Sequence, residues 1–158
     1  MNINIICVGK IKEKYFQGAI EEYSKRLSRF ARLTITEVAD EKIPDNASEK
    51  ECEIVKSREG EKILSRLGDS SYVITLCIEG KEMSSEALAG KIADISMISS
   101  NITFIIGGSL GLSDTVKSRS QLKLSFGQMT LPHQLMRVVL LEQIYRSFKI
   151  NNNESYHK

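Results

Sequence analysis

Tryptophan is absent from this 158-residue chain, and histidine, proline and cysteine occur only two, two and three times. With ten glycines and two prolines, collagen-like and low-complexity architectures are excluded. No apolar run is longer than a few residues (Val138–Leu141 is typical), far short of the roughly 20 that span a bilayer. The first eight residues, Met1 to Val8, lack a basic n-region and a usable h-region, so no signal peptide is expected and a cytoplasmic location is. Cys7, Cys52 and Cys77 are odd in number and widely separated. No CxxC or Cys/His cluster accompanies them, so buried thiols are expected, with no disulfide framework and no metal site.

What is present describes one folded domain over residues 1–158. Hydrophobic residues are 41% and charged residues 27%, a globular balance in a length too short for two ordinary domains. The net charge of +2 is unevenly distributed. Residues 117–158 carry seven basic side chains against two acidic ones, whereas residues 1–116 carry fifteen against eighteen. A basic C-terminal quarter is compatible with a phosphate-rich ligand.

Short apolar, β-rich runs alternate with longer helical patterns. Ile3–Val8, Leu33–Val38, Tyr72–Ile78, Ile102–Ile106 and Leu122–Phe126 read as strands. Tyr15, Phe16, Ala19, Ile20, Tyr23, Leu27 and Phe30 recur with a helical period over Lys14–Phe30. Ser48-Glu49-Lys50-Glu51 is a capping box opening a helix to about Leu67. Ser84-Ser85-Glu86 starts another to about Met97, and Ser113 caps a short one to about Ser118. Pro132 suits the first turn of a last helix reaching about Ile150. This alternation predicts an α/β fold with an open, mostly parallel sheet and helices on both faces. In such sheets ligands lie outside the carboxyl ends of the strands, which singles out the loops after Ile78, Ile106 and Phe126.

Gly107-Gly108-Ser109-Leu110-Gly111 matches the GxSxG nucleophile elbow, and Asp114 with His133 or His157 follows in the chain order of a hydrolase triad. A serine hydrolase is therefore one alternative, although the chain is short for one and Asp114 lies close behind Ser109. Neither a GxGxxG fingerprint nor a Walker pattern is present, which leaves a turn whose backbone can approach a ligand closely. Gly127-Gln128-Met129-Thr130-Leu131-Pro132 is longer than the connection requires. It mixes apolar side chains with donors and acceptors, as a pocket for an uncharged heterocycle would. His133 and Arg137 share a helical face beside it. In the last helix Leu135, Met136, Val138, Val139, Leu140, Leu141, Ile144, Tyr145 and Phe148 cover more than one face. A homodimer built on that helix is expected, with Val139 and Ile144 as outward residues. A non-enzymatic RNA-binding dimer is the second alternative.

Several segments together resemble the bacterial large-subunit ribosomal RNA methyltransferase H family, of the SPOUT class. They are Val8-Gly9-Lys10, Thr75–Lys81, Phe104–Leu112, Leu124–Val138, Glu142–Arg146 and Tyr156-His157-Lys158. The resemblance runs nearly end to end. It implies a C-terminal trefoil knot, a homodimer, and S-adenosylmethionine as methyl donor. The implied product is an N3-methylated pseudouridine in 23S rRNA, made on the large subunit or the assembled ribosome. The matched positions imply a cofactor site at Leu76, Gly108, Gly127, Gln128, Met129, Thr130, Leu131 and Pro132. Leu76, Met129 and Leu131 would enclose the adenine, and a side chain added at Gly108 would intrude on the ligand. Methyl transfer depends chiefly on alignment. If a base assists, His157 beside Tyr156 in the terminal tail is the candidate, with Arg137 expected to hold a phosphate or the flipped base.

Overall fold

The computed structural model describes residues 1–158. Ten elements alternate along the chain: β1 (Asn2–Val8), α1 (Lys14–Leu27), β2 (Arg32–Val38), α2 (Glu49–Leu64), β3 (Tyr72–Glu82), α3 (Ser85–Ser96), β4 (Asn101–Ile106), α4 (Asp114–Ser118), β5 (Leu122–Ser125) and α5 (His133–Asn151). The five strands form one sheet in the order β2-β1-β4-β3-β5, and every pairing is parallel.

Alternation along the strands separates two cores. On one face Ile3, Ile5 and Cys7 of β1 and Ile102, Phe104 and Ile106 of β4 pack with Leu27 of α1, Leu88, Ile92 and Ile95 of α3, and Leu140, Leu141 and Ile144 of α5. On the other, Ile6 and Val8 of β1 with Ile105 of β4 meet Ile63 of α2 and Val116 of α4. The expected helices on both faces are thus present.

Local chemistry sets the helix starts. Ser48 Oγ accepts the Glu51 N–H while Glu51 Oε2 accepts the Ser48 N–H, completing the capping box. Ser84 and Ser113 cap α3 and α4 in the same manner. Pro132 stands one position before its expected place: with φ −54° and ψ 138° it is the extended residue preceding α5 rather than part of its first turn. The first helix ends at Leu27, three residues early, where Ser28–Phe30 form a turn.

Beyond Ile78, β3 continues to Glu82. Leu124 of β5 pairs with Leu76 and again with Lys81, so residues 77–80 bulge out between two grips on the same strand. Gly80 permits this, because a Cβ there would lie 2.8 Å from the Lys123 and Leu124 backbone. Of the cysteines, Cys7 is buried and its thiol is pushed up to about 11, chiefly by that burial. Cys52 and Cys77 are only partly covered, since each lies outside the two apolar clusters.

Candidate active site

At the carboxyl ends of β3, β4 and β5 lies a cavity of about 330 Å³. Its walls come from the β3 bulge, the Gly107–Leu112 turn and the segment after β5, the three loops that strand order singles out. Six of the eight expected cofactor positions line it: Leu76, Gly108, Gly127, Met129, Thr130 and Leu131. Gln128 and Pro132 are exposed and lie outside its wall. Gly127 turns the chain with φ +108°, a conformation L side chains rarely adopt, and its N–H donates to Ser125 Oγ at 3.1 Å. Met129 is 84% exposed, so the apolar side chain of the loop stands at the mouth without a covering neighbour.

The structure adds residues that motif reasoning left out. Phe126 and Met136 extend the apolar wall, while Glu79, ion-paired with Lys117, supplies an acidic edge. In the sequence Phe126 reads as the end of a strand and Met136 as part of the general apolar surface of the last helix. Their positions flanking the glycine-rich loop were the available signal.

Gly108 differs from expectation. Its missing side chain would point into the protein, 3.1 Å from Glu59 Oε1 and 3.2 Å from Val8 Cγ1, rather than into the cavity. Glu59 is a buried carboxylate on the core stripe Val55–Glu59–Ile63 of α2. Its Oε2 accepts the Glu41 N–H at 3.0 Å, and desolvation pushes its carboxyl above the ordinary range. An acid at that helical spacing, between Val55 and Ile63, is the signal for Glu59 in the sequence. A small second cavity opens where Glu59, Val8, Gly108, Ser109 and His133 meet.

His133 borders both cavities. Burial, and then the neighbouring Arg137 charge, lower its pKa, favouring the neutral imidazole. Arg137 itself is not available to grasp a phosphate or a flipped base. It is 2% exposed, its Nη1 donates to Glu37 Oε2 at 2.8 Å, and its Nη2 donates to Gly9 O at 3.1 Å. This guanidinium joins α5 to the ends of β1 and β2.

The terminal tail lies elsewhere in the subunit. His157 Nε2 is 2.8 Å from Glu86 Oε1 and its Nδ1 is 3.2 Å from Arg146 Nη1. Tyr156 donates its hydroxyl to Glu142 Oε1 at 3.2 Å, with its ring edge-on to Tyr145. Burial, then the Glu142 charge, hold this phenol above its ordinary range. Between His133 and Arg146 the helix climbs about 20 Å, so one subunit does not bring the tail to its own cavity.

The elbow residues form no relay. Ser109 and Asp114 are exposed, Ser109 borders the same cavities as His133 without a side-chain hydrogen bond to it, and the partners of His157 are Arg146 and Glu86. The serine hydrolase reading therefore lacks its geometry. Ile144, expected on the outward face, is fully buried against the subunit's own core, whereas Val139 is half-buried.

Comparison with known proteins decides the family. A family model described as "Predicted SPOUT methyltransferase" matches residues 1–157. Proteins named ribosomal RNA large subunit methyltransferase H are 60% identical in Clostridium novyi (strain NT), 58% in Lactobacillus acidophilus and 56% in Clostridioides difficile (strain 630), each match covering 100% of both chains. The chain belongs to this SPOUT methyltransferase family. Among solved structures, a probable methylase family protein from Haemophilus influenzae Rd KW20 is similar in fold, with a TM-score of 0.56 at 16% identity. That match covers 99% of this chain and 70% of the other.

SPOUT methyltransferases use S-adenosylmethionine as methyl donor. The cavity suits such a molecule. It offers an apolar wall for a heterocycle, backbone groups of Gly107–Gly111 and Gly127–Leu131 for polar edges, and the Glu79–Lys117 ion pair at its rim. No group of three or more His, Cys, Asp or Glu side chains is arranged to hold a metal ion, and no helix is long and apolar enough to cross a membrane.

Proposed function

We propose that this protein methylates N3 of a pseudouridine in 23S rRNA, acting in the cytoplasm as a homodimer on the large ribosomal subunit or the assembled ribosome. The observation that carries the reading is convergence. In a chain matched by the SPOUT methyltransferase model over residues 1–157, the loops after Leu76, Ile106 and Ser125 meet around one cavity of mixed polarity, at the sheet end where α/β folds take ligands. Full-length relatives at 56–61% identity carry the name of a large-subunit rRNA methyltransferase, which supports the substrate class.

Leu76, Gly108 and the Gly127–Leu131 segment would hold the cofactor, with Gln128 and Pro132 shaping that segment from outside the cavity. Bound there, S-adenosylmethionine supplies a methyl group from its sulfonium. The chain's own work is to align the acceptor nitrogen and accept its imide proton. A neutral His133 beside the cavity adds no repulsion toward a positively charged sulfonium. Tyr156, whose phenol is held high, suits a donor or positioning role, and His157 beside it in the tail is assigned as the group that takes the proton.

That assignment requires a second subunit, because the tail lies about 20 Å along α5 from its own cavity. A dimer seated on α5 would allow each tail to complete the other copy's site. A trefoil knot is part of the proposal. The two grips of β3 on Leu124 and the close approach at Gly80 set the β3 bulge tightly around β5, packing suited to a threaded segment from Gly127 to Pro132.

The test is incubation with labelled S-adenosylmethionine and large subunits that lack the modification. Label entering 23S rRNA supports the reading; folded protein that binds the cofactor and transfers nothing overturns it. A merely RNA-binding dimer would show salt-sensitive RNA affinity and no affinity for the cofactor.

A further inference from the structure

Eight of the chain's Lys and Arg side chains are held in ion pairs, among them Lys117, Arg137, Arg146 and Lys149 of the basic C-terminal quarter. The fold therefore neutralises much of the charge that the sequence concentrates there. Of the cations left without an ion pair, three fall within five residues at the β1–α1 connection, as many as stay unpaired in the whole C-terminal quarter (Arg119, Lys123 and Lys158). Lys10, Lys12 and Lys14 are exposed and make no ion pair, and Glu13 between them is partly covered. Tyr15 follows, 71% exposed, with its ring centroid 4.6 Å from that of the partly buried Phe16.

This display is rigidly mounted. Gly9 N–H donates to Val38 O at 2.9 Å, and Gly9 O accepts from Arg137. Ile11 N–H donates to Glu37 Oε2 at 3.0 Å, and Ile11 O accepts from Gln17 Nε2 at 3.1 Å. The mount also adjoins the active site. A Cβ on Gly9 would lie 3.2 Å from His133 Nε2, and His133 borders the cofactor cavity.

We propose that Lys10–Tyr15 is an RNA-gripping rim, in which the three lysines engage successive phosphates of a non-helical strand and Tyr15 stacks on an unpaired base. Alternating free cations followed by one exposed, braced aromatic ring match the two features such a strand offers: regularly spaced phosphates and open base faces. An acidic peptide would supply the charge, but it does not pair a charge and an open ring face in every repeating unit as an unpaired strand does. The proposal rests on the rRNA-methylation reading and names where that RNA is held.

The experiment compares wild type with the triple variant Lys10→Gln/Lys12→Gln/Lys14→Gln and with Tyr15→Ala, using unmodified large subunits and labelled S-adenosylmethionine. All four positions are exposed, and matched thermal unfolding confirms that each variant is folded. The triple variant is expected to raise KM for subunits by about tenfold or more at physiological salt. It should also flatten the log–log salt dependence of binding by about 2, as the loss of three single-strand phosphate contacts requires. Tyr15→Ala should raise KM about fivefold or more with the salt slope unchanged, and Tyr15→Trp should restore it. Cofactor affinity and kcat at saturating subunits should stay at wild-type values in each. An active wild type beside variants with unchanged KM and slope overturns the rim alone, as does a triple variant that loses cofactor affinity. A wild type that methylates no rRNA overturns the underlying reading and the rim with it.

Discussion

Arg137 Nη1 lies 2.8 Å from Glu37 Oε2, an ion pair between residues a hundred positions apart whose cationic partner is 2% exposed. The same carboxylate oxygen accepts the Ile11 N–H, so one acid fixes both the last helix and the first loop. Glu37→Ala strands a buried guanidinium and should cost about 2–3 kcal/mol. That is below the loss for a fully buried pair, because Glu37 is one-third open to solvent. Urea unfolding measures it. Arg137→Met removes the charge along with its partner's need for it, and should be the milder change.

At Gly108 the added carbon meets Glu59 and Val8 rather than ligand. Gly108→Ala should therefore destabilise the fold by about 1–3 kcal/mol through overpacking. Cofactor affinity should fall because the turn is displaced, not because the cavity is filled. A second change that shortens the opposing side chain, Glu59→Ala, should recover part of that affinity. Calorimetric titration of the single and double variants reads the difference, and purely additive losses would contradict this geometry.

His133 gives the pH dependence a sign. Its ordinary value of 6.5 is lowered in the fold, by burial first and Arg137 second, with Asp40 and Glu13 pulling weakly the other way. Below about pH 6.5 the unfolded chain takes up a proton that the folded state refuses, so stability is full above that pH and declines as pH falls beneath it. His133→Gln should flatten this limb. Denaturant midpoints from about pH 7.5 to about pH 5.5 provide the check.

On α5 the two substitutions that hydrophobicity alone treats as equivalent should separate. Ile144 is fully buried inside the subunit, and Ile144→Glu should prevent folding. Val139 is half-buried in the isolated subunit. Val139→Glu should leave a folded protein that sediments as a monomer and has lost methyl transfer. A monomeric Val139→Glu variant with wild-type turnover would contradict the composite site.

These contrasts show what was legible in the chain. Strand and helix placement followed from alternation and capping: Ser48, Ser84 and Ser113 cap as their spacing implies. All five strands appear: four are short runs rich in β-branched residues, and Leu122–Ser125 shows the apolar–polar alternation of a strand instead. Features set by distant partners were not legible. Nothing near Arg137 announces Glu37, so a captured guanidinium reads as a free one. Periodicity shows that Ile144 is apolar but not that the subunit's own core covers it. The return of β3 to Leu124 at Lys81 depends on β5, forty residues later. At the site, glycine spacing located the loops, while the tail's 20 Å offset along α5 emerged only from the fold.

The most direct test of the account is the identity of the methylated nucleoside. Large subunits lacking the modification are incubated with the protein and isotopically labelled S-adenosylmethionine, and the 23S rRNA is digested and resolved by mass spectrometry. The account predicts a single labelled product, N3-methylpseudouridine, lost when Val139→Glu separates the subunits. Label on any other nucleoside, or none from folded and cofactor-bound protein, would contradict it.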